Sequence, residues 1–434
     1  MRSYLQQVVY RIRGSYWFIP SLMVIAAIGL SQVSILIDRN VGASWMSDSW
    51  WASMNQPDGA RALLATVAGS MITVAGVTFS LTILAVSHAT SHFGPRLLDN
   101  FMRDRGNQIT LGTFVATFLY CLLVLRAVRG GDAVSDDGLQ IAAFVPQWSL
   151  TIALAMTLSS VAVLIYFIHH IPESIHIANV LRNVAADMHD KIDVMYPEML
   201  GDPLAKKSRA PDSVGKVPIG IVRSAASGYL QGIDDVDLLS VAKDYRVVLR
   251  LLKRPGEFIC RNEHIADVLP AGFPSESGNS DDKTTAWPDD ASVRVQHGFT
   301  IGNSRTPTQD VFFIMHQFVE VAIRALSPGV NDPFTAMQCI DWLCSGLLQL
   351  SEREIPSQFR VDEKDELRVI TTDLAYRDFI ETTLGQLIFH VKGDPNVVAY
   401  FKDSCERVCK TSENRQFNRL IRDQVDSLLA QAKG

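Results

Sequence analysis

Histidine recurs at two places in the first 180 residues. His88 and His92 stand four apart, one helical turn, and His169, His170, Glu173 and His176 fall within eight positions of one another. If the two segments met, their nitrogens and the carboxylate would offer a divalent metal three or four ligands. The same imidazoles titrate near neutral pH, which suits a proton-sensitive or gating role. An amphipathic ring also suits a membrane interface without either chemistry. The run His169–His176 is HHIPESIH and not the HExxH motif of zinc peptidases. The metal stays unknown and the sequence names no cofactor.

A second pattern uses hydroxyls. Ala62–Ser87 runs for 26 residues without a charge. Within it Thr66, Ser70, Thr73, Ser80 and Ser87 recur at helical spacing, and Val77 and Leu84 fill the gaps. A membrane helix with one hydroxyl stripe turns it toward other helices or toward water. Ala65, Gly69, Thr73, Gly76 and Ser80 favour close helix packing. In an oligomer the same stripe would line an axial path, with hydroxyls replacing an ion's water and Val77 and Leu84 closing it by dewetting. Both readings stay open.

A third candidate is the turn Ser327–Phe334. Pro328-Gly329 makes a turn, and Asn331 or Asp332 caps a helix with Pro333 at its first position, so each residue has a structural use. Arg305, Asp310, Glu320, Arg324 and Asp332 are expected to cluster around it as ion pairs, making it a docking or gate-coupling element.

The elements that must position these residues follow from apolar run length. Four uncharged runs, Gly14–Ile37, Ala62–Ser87, Gln108–Leu125 and Gly138–Ile168, are long enough to cross a bilayer, which takes about 20 residues. They predict spans at about 17–37, 62–87, 108–126 and 144–168, in a membrane region over residues 1–200. Arg2, Arg11, Arg13, Arg96, Arg103 and Arg105 lie on one side, against the exceptions Arg126 and Arg129, so both termini are expected in the cytoplasm. Asp38, Asp48, Asp58, Asp132, Asp136 and Asp137 fall in the two outer loops. Between Gly94-Pro95 and Gly106, Arg96–Arg105 reads as a short elbow helix on the inner surface.

Residues 201–434 read as a cytosolic α/β domain. Strands are expected at Ser227–Ile233, Val247–Leu252 and Glu257–Cys260, with a helix at Val236–Asp244. A polar, flexible loop follows at about 272–291. A helix capped by Thr308 runs to about Leu326 and forms a hairpin with the helix after Pro333. Phe359–Ile370 suggests two strands around a charged turn. Three amphipathic helices close the chain, at Leu374–Val391, Asn396–Lys410 and Arg415–Ala432. Six cysteines without a CxxC pair are expected as reduced thiols.

The segments His92–Arg126, Tyr166–Ile175 (YFIHHIPESI), Ser227–Asp234 (SGYLQGID), Arg305–Asp310 (RTPTQD) and above all Ala325–Ala336 (ALSPGVNDPFTA) resemble a bacterial family of predicted membrane proteins of unknown function. The resemblance covers nearly the whole chain. It implies a four-span inner (plasma) membrane protein with a cytosolic C-terminal region, and it supplies no catalytic or binding residues.

Net charge is −6 and there is no basic cluster, so a nucleic-acid partner is not expected. No P-loop, GxGxxG or GxSxG motif is present, which argues against an enzyme. The fold class expected is a polytopic α-helical membrane protein with four transmembrane helices and a C-terminal cytosolic α/β domain. Its partners are the lipid bilayer, further copies of itself and inorganic ions. The leading function is a homo-oligomeric ion channel or channel-like transport protein lined by the second span, with acidic outer loops favouring cations slightly. The alternatives are a membrane-anchored sensor or scaffold whose cytosolic domain binds a partner or small ligand and, less favoured, a metal-dependent membrane enzyme.

Overall fold

The computed structural model describes residues 16–41, 56–94, 104–130, 143–194, 202–203, 217–271, 287–353, 355 and 357–432. The chain divides into two compact units, one formed by residues 9–179 and the other built on residues 180–434.

The first unit holds four helices: α1 (Phe18–Val41), α2 (Pro57–Phe93), α3 (Arg105–Leu125) and α4 (Gln147–Ile175). All four are long and apolar enough to cross a membrane. Pro57 opens α2 at the position where its missing N–H costs nothing. Asp104 caps α3 by accepting from the Gly106 N–H at 2.8 Å. α3 is the hub and packs against the other three helices. Its glycines permit this: a Cβ on Gly112 would lie 2.5 Å from Met23 Sδ of α1, and one on Gly106 would lie 2.6 Å from His170 Nε2 of α4. Leu64, Ala68, Phe114, Tyr120, Val124 and Ala153 fill the core, while Leu22, Ile25, Leu158, Ile165 and Ile168 face outward. That is the apolar dress of a helix bundle in lipid.

The helices outrun the expected spans. α2 has 37 residues, about 55 Å at 1.5 Å per residue. Asp38 lies within α1 and Asp58 in the first turn of α2, not in a loop. Asp48, Asp132, Asp136 and Asp137 lie outside the described residues, as does the expected elbow helix except for Asp104 and Arg105, which cap and open α3. Pro172 does not end α4. The chain continues helical to Ile175, and His176 takes an extended conformation before α5 (Ile177–Val194) begins.

The second unit is mixed α/β. Its larger sheet, in order β1-β8-β9-β4-β6-β2, contains β1 (Asp202–Pro203), β2 (Gly220–Arg223), β4 (Val247–Leu251), β6 (His264–Pro270), β8 (Phe359–Val361) and β9 (Leu367–Ile370). Only the β4–β9 pair is parallel. Leu249 at its centre faces Val268 on one side and Val369 on the other, all three buried. A smaller sheet pairs β5 (Phe258–Ile259), β3 (Gly228–Ile233) and β7 (Phe299–Gly302). α6 (Asp235–Asp244) contributes Leu238, Val241 and Ala242 to the same core, and α7 (Asp289–His297) contributes Val295. α7 begins inside the stretch expected as a loop, of which residues 272–286 lie outside the described ones.

The expected hairpin forms from α8 (Val311–Ala325) and α9 (Pro333–Ser351). Asp310, rather than Thr308, caps α8 by accepting from the Phe313 N–H. Asp332 caps α9, accepting from Thr335 N at 3.1 Å and from its hydroxyl at 2.6 Å. α5 lies along α9, with Met188 against Gly346. The expected helix at 374–391 divides into α10 (Tyr376–Ile380), a π-helical turn (Glu381–Gly385) and α11 (Gln386–Val391). α12 (Pro395–Thr411) and α13 (Arg415–Ala432) complete the chain.

Candidate functional site

The hydroxyl stripe of α2 lies on the face turned away from its own bundle. Leu64, Ala68, Met71, Ala75, Thr78, Thr82, Val86 and Ala89 form the buried side. Thr66, Ser70, Thr73, Val77, Ser80, Leu84 and Ser87 are all exposed on the other. Four of the hydroxyls are satisfied by their own helix: Thr66, Ser70, Thr73 and Ser80 donate to the carbonyls of Ala62, Thr66, Gly69 and Gly76 at 2.7–2.9 Å. Each oxygen keeps acceptor capacity pointing outward. Gly69 and Gly76 beside the stripe have nothing within 4 Å of where a Cβ would stand. His88, one residue beyond Ser87, is exposed too.

A second file of hydroxyls runs through the interior, and the sequence reading passed over it. Thr110, Thr113, Thr117 and Tyr120 share one side of α3, with Thr110, Thr117 and Tyr120 fully buried. Thr117 Oγ1 lies 3.0 Å from Ser160 Oγ of α4. The Tyr120 hydroxyl lies 3.0 Å from Ser34 Oγ of α1 and donates to the Ser149 carbonyl at 3.2 Å. Ser149 Oγ is 3.0 Å from Ser34 Oγ and donates to Asp38 Oδ2 at 2.7 Å. Asp38 also accepts from the backbone N–H groups of Trp148 at 2.8 Å and Ser149 at 3.0 Å. It is 9% exposed. A carboxylate at the start of α4 receives the free N–H groups and the positive end of the helix dipole, which is what makes burying it tolerable. The signal was present in the spacing of Ser31, Ser34 and Asp38, which share one face of α1.

The histidines expected at the inner face divide into separate arrangements. His170 Nε2 meets Asp104 Oδ2 at 2.7 Å, and its ring stacks on Tyr166 at 5.0 Å between centroids. Asp104 thereby joins the start of α3 to the last turns of α4. His169 pairs with Glu173 at 3.4 Å on an exposed face. His176 is the C-cap of α4, exposed and in an extended conformation, with its backbone N–H donating to the Glu173 carbonyl. The side chain of His92 lies outside the described residues. Among the described residues no group of three or more His, Cys, Asp or Glu is placed to hold a metal.

The residues expected to cluster at the hairpin do not share one place. Arg305 pairs with Asp310 at 2.7 Å at the start of α8, against Gly256 at φ +94°. Burial pushes the Asp310 carboxyl up, and Arg305 opposes that rise. Arg324 reaches Glu320 at 3.5 Å near the other end, about 20 Å away along a 15-residue helix. The turn itself is exposed, with Asn331 at φ +50° and Phe334 74% exposed. An open groove of about 510 Å³ lies over the π-helical turn, lined by Glu381, Gln386, Phe389, His390 and Gln424 among others. Among the described residues Arg360 of β8 is the largest fully buried side chain, and burial pulls its guanidinium down to about 10.

Four helices able to span a bilayer, followed by a C-terminal unit of mixed sheets and helices, define a polytopic α-helical membrane protein with an α/β domain. The chain belongs to the predicted membrane protein family DUF2254, which it matches over residues 13–406. It is similar to an uncharacterized protein of Mycobacterium bovis and to one of Mycobacterium tuberculosis, 33% identical to each over 356 residues. Those matches cover 82% of this chain and 64% of each relative, so the chain spans less than two thirds of the relatives' length. No solved structure matches.

Proposed function

We propose that this chain is the subunit of a homo-oligomeric ion channel or channel-like transport protein of the bacterial inner membrane, its path lined by α2. The observation that carries the reading is the exposure of Thr66, Ser70, Thr73, Val77, Ser80, Leu84 and Ser87 on the face of α2 that its own bundle leaves uncovered. A stripe facing only lipid gains nothing from hydroxyls. Around a symmetry axis the same groups present acceptor oxygens to an ion, with Val77 and Leu84 as apolar constrictions. Both termini and the α/β domain lie on the cytoplasmic side in this arrangement, following the Lys and Arg distribution. The slight preference for cations now rests on less, because Asp38 is engaged at the start of α4 and Asp58 pairs with Arg61 at 3.6 Å.

Flux of sodium, potassium and chloride into vesicles carrying the purified protein tests this. Flux that falls on Ser70→Val and Ser80→Val supports it, and no flux of any of the three ions at several pH values overturns it. The second reading is a membrane-anchored sensor or scaffold, favoured by the groove over the π-helical turn, since such turns recur at functional sites. Its discriminating result is a tightly associated oligomer that conducts nothing.

A further inference from the structure

One side chain inside the α/β domain is out of keeping with its surroundings. Residues directly opposite each other on neighbouring strands lie on one face of a sheet. In the larger sheet the pairing sets Val268 of β6, Leu249 of β4, Val369 of β9 and Arg360 of β8 in one row, with Pro203 of β1 at its end. The first three belong to a single apolar core with Leu238, Val241 and Ala242 of α6. The fourth is a guanidinium, and it is 1% exposed.

Nothing described in the domain pairs with it. Nε and Nη1 of Arg360 are buried and meet no acceptor among the described residues. The hairpin that carries Arg360 has four acids, and each is placed elsewhere. Asp362 accepts from the Lys364 and Glu366 N–H groups and from Arg368 Nε, at 2.8–3.1 Å. Glu366 pairs with Arg368 as well. Glu363 reaches Lys243 of α6 at 3.1 Å, and Asp365 is exposed in the turn. One hairpin therefore buries two arginines, supplies one with two carboxylates and supplies the other with none. Burial lowers Arg360 only to about 10, so the group stays charged at neutral pH. A buried charge without a partner is strongly destabilising. A methionine of similar length would complete the row without that cost.

We propose that Arg360 anchors a small-oxyanion site in the α/β domain, taking the phosphate or carboxylate group of a soluble ligand. A guanidinium holds such groups through several N–H donors at once, and the opposite charge offsets its own. The way in is the edge of the sheet. β1 lies outside Arg360, is two residues long and meets β8 in two register pairs. Displacing it opens the end of the row and leaves the core around Leu249 in place. This site goes beyond the channel reading, and its test reads no ion flux, so the two stand or fall separately.

The full chain is melted in dodecyl maltoside with chloride, inorganic phosphate or malonate at equal ionic strength. In chloride, Arg360→Met is expected to melt above the parent, because it removes an unpaired charge and keeps the length. Phosphate or malonate should then raise the melting temperature of the parent by a few degrees more than that of Arg360→Met, since the general effect of each salt is common to both. Arg360→Lys, which keeps the charge and loses the planar fork, should show only part of that difference. The anion that acts separates a phosphate ligand from a carboxylate one. In the parent the same anion should slow amide hydrogen exchange in β8 and β9, a reading that needs no variant. Melting of Arg360→Met below the parent in chloride overturns the proposal, because the guanidinium is then paired. Equal shifts of parent and Arg360→Met with both anions overturn it too, as does exchange in β8 and β9 that neither anion slows.

Discussion

α2 and α3 each carry hydroxyls at steps of three and four residues, and the two stripes have opposite surroundings. On α3, Thr110, Thr117 and Tyr120 are enclosed by α1 and α4. On α2, Thr66, Ser70, Thr73 and Ser80 are bonded only to their own helix and face away from it. Helical spacing fixes that residues share a face. It carries no information about what that face meets. The placement of α3 decides the matter: its stripe is on the side bonded to α1 and α4 through Tyr120 and Thr117, while Ile109 and Leu122 on its other sides are exposed.

The largest expected effect contrasts glycines. Gly112→Leu drives a side chain into Met23 and the Pro20 backbone. It should cost the subunit about 1–3 kcal/mol or more, read as a lower melting temperature in detergent. Gly76→Leu has open space. It should leave the subunit's melting temperature unchanged and shift the oligomer toward monomer in size-exclusion chromatography. Equal destabilisation by both would break the contrast between the two helices.

Next in size is Asp38→Ala. It leaves the Trp148 and Ser149 N–H groups and the Ser149 hydroxyl without their acceptor, at about 1–3 kcal/mol for stranded buried donors. Ser70→Ala, on the outer stripe, should stay within about 0.5 kcal/mol. Chemical denaturation in mixed micelles measures both. A smaller loss is expected for Thr117→Val, about 0.6 kcal/mol, the typical worth of a hydrogen bond between membrane helices. Pairing it with Ser160→Ala in a double-mutant cycle should recover the same coupling. The gentlest test substitutes cysteine. In a Cys260→Ser, Cys409→Ser background, which removes the native thiols that are not buried, Ser80→Cys should react with a membrane-permeant maleimide in the detergent-solubilised monomer, while native Cys121, fully buried on α3, stays unlabelled. A protected Ser80→Cys in the monomer would contradict the outward orientation of the α2 stripe.

Apolar run length made the four helices readable, because a bilayer demands about 20 uncharged residues whatever their neighbours are. Capping made the α8–α9 hairpin readable through Asp332 and Pro333, and amphipathic period did the same for α12 and α13. Three kinds of feature were not legible. β2 and β7 are four-residue strands, and they and β6 are chosen by pairing across the sheets; α7 is nine residues held by a core that the local sequence does not contain. The partners of Asp38 and His170 lie 111 and 66 residues away, so Asp38 looked like an outer-loop charge and Asp104 like nothing in particular. The charged residues of the hairpin were grouped by nearness in sequence, yet a straight helix separates Asp310 from Arg324. The exposed face of α2 was legible as a stripe and ambiguous in its surroundings, for the reason its comparison with α3 makes plain.

The length of α2 has a mechanical consequence. Its uncharged stretch of 26 residues measures about 39 Å, against about 30 Å of hydrocarbon. Upright, the helix pushes apolar turns into the headgroups on at least one side; lying inside the hydrocarbon, it leans by about 40°, the upper end of the range for membrane helices. Because α2 is packed on α3 and α4, a change in bilayer thickness tilts it together with its bundle or strains its contacts. The helix is a gauge of the membrane around it. Reconstitution in lipids of shorter and longer chains reads that mismatch as a change in the angle between α2 and the bilayer normal, measured by oriented-sample solid-state NMR.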